Sequence, residues 1–481
     1  MKDLRKNYLY NSIYQIFSII VPLLTTPYVS RVMGPSGIGM YSYTHSISHY
    51  FVLFSLMGVN NYGNRSIAKV REDKENLSNV FWGIYYLQLL LSIVFISIYI
   101  IFIIFLFDNK FIFYIQIMYV VSAMFNINWF LFGIEEFKVT VVRDMIVRTI
   151  SVGFIFIFVK NEGDLWIYTT IMTLSVLLSQ LVVWPYVLKR IDYIPFSFTN
   201  VIRHLKPNFI LFIPVITVSI YKYMDKIMLG RLSSINEVGL YTNAEQVINI
   251  PMGLITALGT VMLPRMSNLV SKGYLNTSKV LIKKSMLFTM FLSSALSFGI
   301  AGIAPTFAPW FFGHEFAKSG QLIVYLSVTI LFISWSNVIR TQYLLPNNKE
   351  NILIISVASG AVINFGMNLV LIPMYGAIGA VIGTIFAEAT VCIIQTYIVK
   401  DQLELKEYFK KGFMFLINGF IMFFVVRLFP YGNNDLLTLI VKVFIGALIY
   451  IIISFIYIKK NNIRFINRSG YDEEIEKLYE E

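Results

Sequence analysis

Twelve charged residues lie within, or at the ends of, long apolar stretches: Arg31, Arg143, Asp144, Arg148, Lys222, Asp225, Lys226, Glu245, Arg340, Glu388, Arg427 and Lys442. A charge near the centre of a bilayer costs ~2.5–3.5 kcal/mol on the insertion scale, so each needs a partner or a purpose. Eight are cations and four are carboxylates. Spacing suggests some partners. Asp144 and Arg148 are an i,i+4 pair, and Lys222 and Lys226 each lie within one turn of Asp225. Arg31, Arg143 and Arg340 can snorkel if they sit at an interface. After every carboxylate has taken a partner, cations remain, and surplus cations in a cavity select an anion, Arg bidentately and Lys as a point charge. Glu388 has no basic residue within a turn. It joins Asp225 and Glu245 as a candidate to carry a coupling cation, against the alternative that a protonated Glu388 makes a helix-packing hydrogen bond.

The helices that would position these groups carry polar stripes. The first apolar stretch, residues 9–33, has Asn7, Asn11, Gln15, Ser18, Pro22 and Thr25 on one helical face and closes with Arg31. Unpaired polar groups in hydrocarbon cost kcal/mol each, so this face is expected to meet other helices or a wet cavity. A related pattern returns from Pro207, with Asn208, Pro214, Thr217, Tyr221, Lys222, Asp225 and Lys226 before Gly230. The second stretch carries Tyr41, Thr44, His45, Ser48, His49 and Ser55; the eighth carries Tyr241, Thr242, Glu245, Gln246, Asn249, Thr256 and Thr260. Together these stripes predict the walls of a central cavity, with Arg31, Lys222, Lys226, Arg143, Arg148, Arg340, Tyr41, Tyr241, Asn11 and Gln15 as its candidate binding residues.

Composition sets the class. Of 481 residues, 57% are hydrophobic and 14% charged, too little charge to cover a soluble protein of this size. Spans of ~17–25 apolar residues fall near 9–33, 39–62, 81–107, 111–133, 139–159, 165–188, 207–230, 238–263, 285–312, 321–345, 352–372, 376–399, 412–429 and 436–458. The expectation is an all-α polytopic membrane protein of about fourteen helices. Lys2, Arg5 and Lys6 lead into an uninterrupted span, so no cleavable signal is expected. The single cysteine, Cys392, lies inside a span, and the four histidines have no metal-ligand spacing. No cofactor or metal is expected.

The net charge of +12 does not point to nucleic acid, because it is segregated. One set of alternate loops holds nearly all the Lys and Arg; the other holds only Lys110, Lys160, Arg231 and Lys318. The positive-inside rule then puts both termini in the cytoplasm and makes the span number even.

An internal repeat appears at an offset of two hundred residues. Gly39-Met40-Tyr41-Ser42 matches Gly239-Leu240-Tyr241-Thr242, and Arg65 matches Arg265. Gly34 pairs with Gly230, Trp129 with Trp335, and His45 falls opposite Glu245. An even number of spans separates the copies, so they are parallel repeats about an axis along the membrane normal. The expected organisation is an N-terminal lobe of six helices over 1–195 and a second over 196–400. Two extra helices over 401–460 and a charged tail over 461–481 follow. Cargo is expected between the lobes.

Several segments together resemble a known family across some 400 residues. They are Asn11-Ser-Ile-Tyr-Gln15, Pro22-Leu-Leu-Thr-Thr-Pro27-Tyr-Val-Ser-Arg31-Val-Met-Gly34, Gly37-Ile-Gly39-Met-Tyr41, Tyr62-Gly-Asn-Arg65, Asn128-Trp129-Phe-Leu-Phe-Gly133 and Leu263-Pro264-Arg265-Met-Ser267. In this order they resemble polysaccharide repeat-unit flippases of the Wzx type, in the superfamily that also holds multidrug exporters and lipid II flippases. The resemblance implies two six-helix lobes plus two helices, and a cargo of polyprenyl diphosphate carrying an oligosaccharide. It also implies a multi-pass protein of the bacterial cytoplasmic membrane. The polymer served would be capsule, O-antigen or exopolysaccharide, with a polymerase and glycosyltransferases as pathway partners. A diphosphate suits the surplus cations, and Arg31 with Lys222 and Lys226 are the first choice to hold it; Tyr41, Tyr221 and Tyr241 can stack on sugar faces. A drug or cation exporter of the same fold would need a net acidic cavity. A membrane-embedded glycosyl polymerase would be an enzyme needing acid–base residues by a sizeable outer loop. The expected outer connections 108–110, 160–164 and 431–434 are short.

Overall fold

The computed structural model describes residues 2–106, 110–430, 432 and 434–463, excepting the side chains of residues 2–13, 15, 16, 214, 218, 220 and 221. All regular structure among them is helical. The chain forms two compact units, Met1–Thr242 and Asn243–Glu481.

The first unit starts with α1 (Lys2–Leu56), two helical legs joined at Gly34, whose φ of 61° and ψ of 179° lie outside helical space. Gly tolerates that conformation, and Pro35 is suited to open the second leg because its missing N–H has no intrahelical acceptor there. The break falls between the expected spans 9–33 and 39–62. Then come α2 (Val59–Val70), α3 (Lys74–Leu106), α4 (Phe111–Ser122), α5 (Asn128–Gly133), α6 (Phe137–Phe158), α7 (Leu165–Leu181), α8 (Trp184–Leu188) and α9 (Phe198–Leu232). The start of α10 (Ile235–Ser271) completes the unit.

Two of the motifs that carry the family resemblance lock together in its core. Trp129 is fully buried, and its Nε1 donates to Gln88 Oε1 at 3.0 Å. Gly63 of α2 lets that indole approach: a Cβ at position 63 would lie 2.5 Å from the Trp129 ring. On the same interface, a Cβ at Gly133 would lie 2.6 Å from Ile67. Phe81, Phe130 and Trp82 extend this core.

The repeat-related glycines meet. A Cβ on Gly39 would lie 1.8 Å from the Ile235 carbonyl oxygen, and one on Gly239 would lie 1.9 Å from the Pro35 carbonyl oxygen. The second leg of α1 and the start of α10 therefore cross backbone to backbone, reciprocally, at the place where the sequence repeats. Nearby, Gly230 of α9 accepts the Tyr43 ring, which a Cβ would meet at 2.3 Å.

The second unit continues α10 and adds α11 (Leu275–Phe312), α12 (Ala317–Leu326), α13 (Thr329–Ile339) with a π-turn at Arg340–Leu344, and α14 (Glu350–Tyr375). It ends with α15 (Ala377–Val399), α16 (Leu405–Leu428) and α17 (Asp435–Lys460). α14 and α15 form a close hairpin turned at Gly376, with small residues at the seam: a Cβ at Gly379 would lie 2.2 Å from the Leu371 carbonyl oxygen. α16 packs on α11 through Gly412 against Met290 and Gly419 against Phe298.

Among the described residues, eight helices are long and apolar enough to cross a membrane, or ten if each of two bent pairs is one span. The other expected spans fall on the two legs of α1, on α4 with α5, and on α6. The fold is that of an all-α polytopic membrane protein.

Candidate functional site

On the second leg of α1, Tyr41, His45 and His49 follow at steps of four and so share one face. Three other helices converge on that face. Tyr168 of α7 meets Tyr41 edge-on with ring centroids 4.9 Å apart. Tyr119 of α4 lies 4.5 Å from the His45 ring, and its hydroxyl hydrogen-bonds His49 Nδ1 at 2.8 Å. Tyr223 of α9 stacks on His49 at 4.0 Å. Tyr41 itself stacks on His45 at 5.5 Å. The result is a ladder of rings, Tyr41–His45–Tyr119–His49–Tyr223, every member partly exposed.

Polar groups hold the ladder from behind. Tyr50 donates to the Ser219 carbonyl at 3.3 Å, tying α1 to α9. Ser48 Oγ and the Tyr99 hydroxyl lie 2.7 Å apart, and Tyr99 also donates to the Phe113 carbonyl. Gln116 Nε2 reaches Thr44 Oγ1 at 3.5 Å.

At its α9 end the ladder runs into charge. The ammonium groups of Lys222 and Lys226 each lie 5.9 Å from the centre of the Tyr223 ring, within cation–π range. Lys222 is exposed and Lys226 half-buried. Asp225, on the same helix, is buried and accepts a 2.7 Å hydrogen bond from the Tyr241 hydroxyl. Tyr241 is only 2% exposed. It therefore packs and orients Asp225, with no ring face open for stacking.

The other expected site residues separate into distinct environments. Arg31 is exposed near the end of the first leg of α1. The side chains of Asn11 and Gln15 lie outside the described residues. Arg143 is buried and ion-paired with Asp144 at 2.8 Å, with a further hydrogen bond to Asn128 Oδ1 at 3.0 Å. Spacing predicts an Asp144–Arg148 pair. Instead Arg148 Nη2 donates to the Tyr14 hydroxyl, which in turn donates to Asp144, while Ser179 donates to Asp144 Oδ1 at 2.7 Å. The carboxylate is shared by neighbours from α1, α6 and α7, which no spacing along one helix reveals. Beside this network an apolar groove of about 820 Å3 runs between α6 and α7, lined by Ile146, Ile150, Phe154, Leu174 and Leu178 among others.

In the second unit, Arg340 stands in the π-turn and donates to Asn337 Oδ1 at 2.7 Å, while Asn337 Nδ2 donates to the Ile255 carbonyl. Glu245 and Glu388 are half-buried on α10 and α15. Glu388 lies one turn from Cys392 on the helix where Thr396 accepts the Trp335 indole N–H at 2.9 Å. Among the described residues, no three His, Cys, Asp or Glu side chains come together as a metal site.

Tyr119, Tyr168 and Tyr223 were not singled out by the sequence reading. They lie on three different helices, and only the face shared by Tyr41, His45 and His49 could have signalled a place for them.

A family model described as polysaccharide biosynthesis protein matches residues 4–270. The chain belongs to that family. The match covers the whole ring ladder and the lysine pair. A protein of Escherichia coli (strain K12) described as "Putative O-antigen transporter" is 25% identical over 407 residues, covering 83% of this chain and 97% of its own length. Among solved structures, "Lipid II flippase MurJ, inward closed conformation" superposes with a TM-score of 0.75 at 18% identity, covering 95% of this chain and all of that one. An inward-facing multidrug resistance MATE family transporter of the MOP superfamily gives 0.59 at 12% identity, covering 87% of this chain and 96% of the other. At these identities the structural likenesses establish the fold that this family member shares with them.

Proposed function

We propose that this chain is a flippase that moves a polyprenyl-diphosphate-linked oligosaccharide from the cytoplasmic to the outer leaflet by alternating access between two lobes. It is a membrane transporter and not an enzyme. Lys222 and Lys226, one turn apart on α9 with both ammonium groups beside the Tyr223 ring, carry this reading. They supply fixed positive charge for a diphosphate, which loses its water on entering the membrane and must have that solvation replaced. Arg31 on the repeat-related helix is the next cation along the path. With the Lys- and Arg-rich loops inside, both termini face the cytoplasm, and the cargo travels outward to serve capsule, O-antigen or exopolysaccharide assembly. A polymerase acting on the outer leaflet would consume it, after glycosyltransferases have built it inside.

The family match and the relative described as an O-antigen transporter support the class of cargo; the lysine pair supports its charge. Removing the chain from its source cell tests the reading. Polymer should disappear from the surface while diphosphate-linked repeat units accumulate in the cytoplasmic leaflet, and Lys222→Gln/Lys226→Gln protein should fail to restore export although it inserts normally. Unchanged polymer in the deletion strain would overturn it.

A further inference from the structure

We infer that the ring ladder Tyr41–His45–Tyr119–His49–Tyr223 is the saccharide subsite, a platform on which the sugars of the cargo lie while the lysine pair holds the diphosphate. The inference rests on the flippase reading above and adds where in the chain the carbohydrate is recognised.

Three observations carry it. The first is chemistry. A pyranose has an apolar, slightly positive C–H face and a rim of hydroxyls. It is best met by the negative face of an aromatic ring, with donors and acceptors at that ring's edge. Tyr and His are the side chains that offer both, and the ladder contains only these two types. The second is availability. All five rings are partly exposed. The Tyr119–His49 bond and the Tyr50–Ser219 bond hold the rings in place, so binding a sugar orders little that is not already ordered. The third is placement. Tyr223 is at once the last ring of the ladder and the ring on which both lysine ammoniums lie at 5.9 Å. In the cargo the first sugar is bonded directly to the diphosphate, so a sugar platform must abut the phosphate site. From Tyr41 to His49 the ladder rises about 12 Å, at ~1.5 Å per residue, enough for roughly two pyranose rings.

Ordinary packing would also place aromatic rings together. It would not turn them to one face between four helices, leave them partly exposed and end them at a pair of cations.

The test compares two ligands that differ only in sugar: undecaprenyl diphosphate and undecaprenyl diphosphate bearing N,N′-diacetylchitobiose. Binding to the purified full-length chain in detergent is measured by native mass spectrometry or by competition with a radiolabelled lipid. Wild-type protein should bind the disaccharide lipid more tightly than the bare one. Tyr223→Leu should weaken disaccharide-lipid binding by about tenfold, the size of one lost ring contact, and leave bare-lipid binding within about twofold. Tyr223→Phe, which keeps the ring, should retain most of the preference, and Tyr41→Leu provides the same comparison at the far end should Tyr223→Leu fail to fold. Equal binding of the two lipids by wild-type protein, or equal weakening of both by Tyr223→Leu, overturns the subsite and leaves the flippase reading standing. Failure of the wild-type chain to bind either lipid overturns both.

Discussion

Substituting Gly39 by alanine tests the crossing of α1 and α10. The new Cβ would stand 1.8 Å from the Ile235 carbonyl oxygen, where non-bonded heavy atoms prefer about 3.5 Å. One backbone must therefore retreat by roughly 1.5 Å, and neither is a flexible side chain that could swing away. Overpacking of this kind costs about 1–3 kcal/mol, and a backbone-on-backbone clash belongs at the upper end. At about 3 kcal/mol, a state containing the crossing loses roughly two orders of magnitude of population relative to one in which α1 and α10 have parted. The assay is pulsed electron spin resonance between labels at Ser36→Cys and Ser234→Cys, both exposed and flanking the crossing, in a Cys392→Ala background because Cys392 is the one native cysteine. Gly39→Ala should lengthen the distance distribution by several ångströms. Gly239→Ala should do the same, since its Cβ would stand 1.9 Å from the Pro35 carbonyl oxygen. The double variant should add less than the sum, because either substitution alone relieves the same contact. Unchanged distances together with normal polymer export would refute the claim that the glycines are needed for close approach.

Two further outcomes follow from local geometry. Gly63→Ala should lower thermal stability by about 1–3 kcal/mol, since its Cβ would lie 2.5 Å from the buried Trp129 ring; an unaltered melting curve would contradict the motif interlock. Asp73 caps the start of α3, with Oδ1 accepting from the Glu75 and Asn76 amides and Oδ2 from the Asn76 side chain. Those hydrogen bonds hold its carboxyl below the ordinary carboxylate range. A depressed carboxyl contributes stability above its unfolded pKa and loses it as pH falls through the folded one. Amide exchange at Glu75 and Asn76 should therefore quicken as pH drops below about 4 beyond the intrinsic rate change, and Asp73→Ala should abolish that pH response.

Much of the fold could be read from the amino acids because the membrane imposes it. Long apolar runs have one stable form in hydrocarbon, so most of the length of the expected spans is helical among the described residues, although a turn at 123–127 divides the fourth into α4 and α5. The break at Gly34 was legible for a similar local reason, a glycine followed by proline. Gly39 and Gly239 stood out as a matched pair, but an offset in sequence carries no information about touching, and their crossing needed coordinates. Site residues divide along the same line. Lys222 and Lys226 stood out because charge at membrane depth is costly. Tyr119, Tyr168 and Tyr223 did not, because aromatic residues are common in this chain and only convergence from separate helices distinguishes these three. The partner of Asp144 was misjudged because helical spacing favours Arg148, whereas the packing of α1 and α7 on α6 brings Tyr14 and Ser179 to the carboxylate and leaves Arg143 as its ion pair. Tyr241, expected on a cavity wall, is buried because its hydroxyl serves Asp225.

The central claim is that the cargo is an anionic lipid-linked saccharide and not a cation. Purified chain in liposomes answers it in one preparation, with fluorescent polyprenyl-diphosphate disaccharide in the membrane and ethidium in the lumen. The account predicts accelerated exchange of the labelled lipid between leaflets, lost in Lys222→Gln/Lys226→Gln protein, and ethidium efflux no faster than from protein-free vesicles. Protein-dependent ethidium efflux with no lipid exchange would contradict it and assign the chain to cation export.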